Sequence, residues 1–77
     1  MKPKEPPMYL YPAEIRERIS TLNAWLNHHP HDHHMAGTVI REKDFYTNQL
    51  DKINDSGELM AAAAKTDCYN LIINNQL

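Results

Sequence analysis

A single cysteine, Cys68, rules out any internal disulfide, so one of the usual supports of a small domain is missing. There are only two glycines, Gly37 and Gly57, too few for a phosphate-cradling loop or a G-x-S-x-G nucleophile elbow. Charge of one sign is also lacking. The formal net charge of −2 gives no strong phosphate footprint, which disfavours nucleic-acid binding by bulk electrostatics. No apolar run approaches the roughly 20 residues that cross a bilayer. The first residues run into prolines rather than an apolar segment, so neither a membrane span nor a secretory leader is expected. A cytoplasmic setting fits these readings and the lone thiol.

Seventy-seven residues make one small domain, which buries only roughly 60% of its unfolded surface. With disulfides excluded, a metal ion or oligomerisation is left to supply the missing stability. The composition, 42% hydrophobic and 23% charged, is that of a globular chain rather than a disordered one.

Along the chain, residues 1–11 form a proline-rich tail that ends in Met8-Tyr9-Leu10-Tyr11. Four apolar or aromatic residues in a row are expected to pack on the following helix as a lid. Pro6-Pro7-Met8-Tyr9 also has the form of a PPxY ligand, and Leu10-Tyr11-Pro12 is similar to the core of viral late-domain peptides. Both patterns are short and arise often by chance.

Residues 12–77 are expected to form a single helical domain. Helix 1 should run from Pro12, which suits a first helical position, to His28. Its apolar seam is Ile15, Ile19, Leu22 and Leu26, with Trp25 at the edge. Pro30 stops this helix, and Asp32 reads as the N-cap of a second helix from His33 to about Asn54. That helix has Met35, Ala36, Val39, Tyr46, Leu50 and Ile53 on its apolar face. Lys43 falls inside the apolar sector, while Phe45 points the opposite way. Asp55-Ser56-Gly57-Glu58 has capping-box-like spacing before a third helix, Glu58 to roughly Ile73, built on Ala61-Ala62-Ala63-Ala64. No strand is expected, although Leu71-Ile72-Ile73 is β-prone. The terminal Asn74-Asn75-Gln76-Leu77 should fray.

The fold class this implies is all-α: an antiparallel helical hairpin with a third helix across it. The third helix would carry apolar residues on two faces, Leu59, Ala63 and Ile73 on one and Met60, Ala64, Cys68 and Leu71 on the other; with the narrow seam of helix 1 and the outward Phe45, this predicts completion by oligomerisation, with a homodimer as the simplest form.

All five histidines lie within residues 28–34. Protonating them would turn the net charge from −2 to +3 within one turn. Imidazole is a common ligand of zinc and nickel, so His28, His33 and His34 with Asp32 form a candidate metal site. The spacing matches no established metal motif, and polar residues at a helix end need no ligand to explain them. No cofactor is therefore expected.

Catalysis has little support. Cys68 falls in an apolar stripe, where an inert buried thiol is expected, and no base or orienting group accompanies it. Glu14, Glu17, Asp44 and Asp51 read as solvated charges, Glu14 within reach of Arg18. The outer face of helix 2 mixes Arg41, Asn48 and Lys52 with Asp44 and Asp51, which argues against a recognition helix for DNA. The expected function is a non-enzymatic interaction module (a regulator, inhibitor or adaptor) that contacts its own copy and another protein. Its expected contact groups are Trp25, Phe45, Tyr9 and Tyr11. A metal-binding module on the histidine turn and a DNA-binding regulator are the alternatives.

Overall fold

The computed structural model describes residues 8–76. The head of the tail, with Pro6 and Pro7 of the PPxY pattern, lies outside the described residues. Of the described residues, 68% are helical, in three helices joined by a two-stranded sheet.

Helix α1 spans Pro12–His28. Proline occupies the first turn, where its missing N–H leaves no broken bond. The backbone N–H of Tyr11 donates to Glu14 Oε1 at 3.2 Å, which ties the start of the helix to its first turn. The carboxylate read as a partner for Arg18 is thus engaged locally. Helix α2 spans His33–Ser56, and Asp32 caps it as expected, its Oδ1 accepting from the Met35 N–H at 3.3 Å. It runs about half a turn beyond Asn54 and ends at Gly57. That glycine adopts the left-handed conformation, φ 73°, and its N–H donates to the Ile53 carbonyl at 2.9 Å. Asp55-Ser56-Gly57-Glu58 therefore closes α2 and does not open another helix.

The two helices pack along a seam of Ile15, Leu22 and Trp25 against Val39, Tyr46 and Ile53, all buried. Each fully buried large apolar side chain contributes roughly 1.5–3 kcal/mol. Ile19, Leu26 and Leu50 flank this seam half-buried.

The third helix departs from expectation. Residues 57–67 contain no helix, and Ala61–Ala62 forms strand β2, antiparallel to β1, Tyr9–Leu10. Tyr9 pairs with Ala62 and Leu10 with Ala61, and the Ala63 N–H donates to the Met8 carbonyl at 2.8 Å. Helix α3 is only Cys68–Ile73 and takes up the β-prone Leu71-Ile72-Ile73. The reason is that alanine's helix preference, under about 1 kcal/mol per residue, is outweighed once the backbone donors find partners elsewhere. Ala63 bonds to Met8, just before β1, and Ala64, Cys68 and Tyr69 bond to side chains of α2. The small alanine side chains let the strand lie close to its neighbour.

The expected fraying is not seen over Asn74–Gln76, and Leu77 lies outside the described residues. Asn75 adopts φ 57°, and Gln76 and Asn75 donate back to the Leu71 and Ile72 carbonyls at 2.7 and 3.1 Å, a left-handed helix stop that asparagine tolerates. Of the lid residues only Leu10 is buried, at 2% exposure, while Met8, Tyr9 and Tyr11 remain exposed. The molecule is a slab of 38 × 37 × 18 Å. No helix among the described residues is long and apolar enough to cross a membrane.

Candidate functional site

The groove with Phe45 on its wall is the candidate site. Thr38, Arg41, Glu42 and Phe45 come from α2, and Ala64, Lys65 and Thr66 come from the segment between β2 and α3. Together they line an open groove of about 480 Å³. Phe45 is half-buried and meets the Tyr46 ring edge-on, with centroids 5.6 Å apart. It does not project freely into solvent as expected, because the 64–66 segment lies beside it. Arg41 and Lys65 are exposed at the rims. An apolar floor between two cations is suited to hold an apolar side chain with a carboxylate next to it.

A polar network sets the shape of this groove. Glu42 is 2% exposed, deep for a carboxylate. Its Oε1 accepts from the Thr66 hydroxyl at 2.7 Å and the Cys68 N–H at 2.9 Å, and its Oε2 accepts from the Tyr69 N–H at 3.0 Å. Glu42 thereby caps α3 from another helix. Asp67, at the N-cap position, directs its carboxylate to the Asn70 side-chain amide instead, at 2.7 and 2.9 Å. One turn along α2, the fully buried Tyr46 hydroxyl accepts from the Ala64 N–H and from Arg18 Nη1, both at 3.1 Å. The Arg18 guanidinium lies over the Tyr69 ring at 4.5 Å, a cation–π contact across α1 and α3. The non-helical segment is thus pinned from below at Ala64 and Thr66, and the first turn of α3 at Cys68 and Tyr69.

Cys68 is buried within this network, and its thiol is pushed up to about 11, first by burial and then by the Glu42 carboxylate beside it. The thiol stays protonated at neutral pH, which suits an inert packing group.

The other predicted site residues are placed as follows. Trp25 is 4% exposed, so its indole belongs to the core and not to a face a partner could reach. It lies three residues after Leu22, on the buried stripe rather than at its edge. Its Nε1 has no acceptor among the described residues. The His29 ring stacks on it, centroids 4.5 Å apart, and His29 Nδ1 donates to the Trp25 carbonyl at 2.9 Å. Tyr9 and Tyr11 are 54% and 56% exposed, available on the outer side of β1. Among the described residues no three His, Cys, Asp or Glu side chains come together as a set able to hold a metal ion. His28, Asp32, His33 and His34 are therefore not gathered into one, and Asp32 is engaged as the cap of α2. Lys43 lies half-buried on the other flank of α2, in a shallower groove with Arg16, Ile19 and Leu50.

Sequence reasoning missed Glu42 as the buried member of α2 and assigned Arg18 to a surface pair. The signal for Glu42 was its position three residues after Val39 and four before Tyr46, on the inward stripe of the helix. No family model matches this chain, and no match was found among curated proteins or solved structures.

Proposed function

We propose that this chain is a small non-enzymatic protein–protein interaction module, a regulator, inhibitor or adaptor that acts through its surface. The observation that carries the reading is the Phe45 groove, an apolar floor rimmed by Arg41 and Lys65 and held in shape by the buried Glu42 network. Aromatic and arginine side chains at the centre of a contact supply most of its binding energy. The exposed Tyr9 and Tyr11 offer further aromatic surface beside β1. The buried Glu42 carboxylate is engaged in holding Thr66 and the start of α3, and the buried Cys68 thiol is kept protonated beside it.

Crosslinking of the native chain in its host, followed by mass spectrometry, tests the proposal. The wild-type chain should retain a stoichiometric protein partner, either its own copy or another chain. Phe45→Glu should weaken that retention at least about tenfold, as expected when a central contact residue is lost. A wild-type chain that captures no protein, or a Phe45→Glu variant that captures the same partner equally well while remaining folded, would overturn it.

A further inference from the structure

The groove needs an apolar side chain flanked by negative charge, and the chain itself carries one. Leu59 is 79% exposed, the most exposed large apolar residue among those described. Glu58 precedes it and Asp55 lies four residues earlier, both exposed. This turn does not line the groove of its own molecule, and Leu59 stands free of it. Phe45 and Ser56 belong to one rigid helix and lie about 16 Å apart along its axis, at 1.5 Å per residue. The turn leaves beyond that end.

We infer that the Phe45 groove is occupied by the Gly57–Met60 turn of a second copy of this chain, in a twofold dimer with α2 antiparallel to its mate. The inference rests on the interaction-module reading and names the partner. A second feature, independent of the groove, supports it. Arg41, Asp44, Asn48, Lys52 and Asp55 are all exposed and recur along α2 at intervals of three, four, four and three residues, which places them on one face. The pattern reads positive, negative, neutral, positive, negative. With the dyad at Asn48, Arg41 faces the mate's Asp55, and Asp44 faces the mate's Lys52. Every charge in the row then meets its opposite, as a self-complementary interface requires. In the same register Ser56, the last residue of α2, lies opposite position 40, which brings the turn that follows it to the Thr38–Arg41 end of the mate's groove. Gly37 is exposed there, with no atom close to where a Cβ would stand, so its lack of a side chain adds to the room for the incoming leucine.

A charge-swap experiment on the full chain, read by sedimentation equilibrium, tests the inference. The wild-type chain should dimerise. Leu59→Ser should weaken the dimer at least about tenfold, with unchanged far-ultraviolet circular dichroism because the side chain is outside the core. Arg41→Glu and Asp55→Lys each place like charges opposite one another twice, and each variant alone should be monomeric at concentrations where the wild type is dimeric. Mixed one to one they should associate again. The glutamate introduced in the first variant then faces the lysine introduced in the second, and the first variant's Asp55 faces the second's Arg41. A wild-type chain still monomeric at roughly 1 mM overturns the inference, whatever other protein it binds. So does a dimer that all three variants leave intact, or single variants that lose association without recovering it on mixing. The interaction-module proposal falls separately, by failure to capture any protein in the host.

Discussion

Two regions of this molecule hold most of its unusual chemistry, and they are opposites. The turn at residues 28–34 gathers five imidazoles that are adjacent in sequence, yet the fold does not gather them with Asp32 into a ligand set. The junction of α2 and α3 draws on Arg18, Glu42, Tyr46, Thr66, Cys68 and Tyr69, which are scattered along the chain and converge through hydrogen bonds. Density of chemistry along a chain and density in space are separate properties. In a reversal between two helices the side chains fan outward, whereas the inward stripe of a helix aims residues from successive turns at one neighbour.

The largest test of this contrast is at Glu42. Replacement by Ala leaves the Thr66 hydroxyl and two backbone N–H groups without their acceptor. It should cost about 3 kcal/mol or more and lower Tm by more than about 10 °C in calorimetry. A loss below about 1 kcal/mol would mean that water replaces the carboxylate at little expense. Tyr46→Phe keeps the ring and removes one acceptor from Ala64 and Arg18. About 1–2 kcal/mol should be lost by urea titration.

Cys68 gives a pH signature. Its folded thiol is raised from an ordinary 9.0 to about 11, so the unfolded chain releases this proton first. The associated stability is complete below about pH 9 and declines as pH rises towards 11. Cys68→Ala should remove that part of the alkaline decline, with tyrosine titration common to both proteins. In the native protein a thiol reagent at about pH 8 should react only as fast as the chain opens.

The smallest effect should come from the turn. His33→Ala with His34→Ala changes two exposed side chains and should move stability by less than about 0.5 kcal/mol. If zinc at micromolar concentration raises Tm of the wild type but not of this variant, the contrast between the regions fails and the turn is a metal site.

The helical hairpin was legible because its signals are local. Pro12, Pro30 and Asp32 act on their immediate neighbours, and with the apolar periodicity they place the two long helices within a couple of residues of where they lie. The third helix was misread for the complementary reason. Ala61 to Ala64 favour a helix only weakly, and what decides against it is a set of partners at Met8 and Tyr46 that no local window contains. The site followed the same rule. Phe45 was recognised as out of register with the core, but the segment that walls it in is held by Glu42, whose charge disguised an inward position. Trp25 was placed at the edge of the seam by its step from Leu26, whereas its spacing of three from Leu22 sets it on the buried stripe.

The pairing of β1 with β2 has a kinetic meaning. It joins Tyr9 to Ala62 across roughly fifty residues, so it closes a long loop, whereas the α1–α2 hairpin closes a short one. Contacts near in sequence form first, and distant ones wait until the intervening chain is ordered. During synthesis the hairpin can assemble while Leu10 still lacks its Ala61 partner, so an incomplete chain that ends before β2 would leave the apolar surface at Leu10 uncovered.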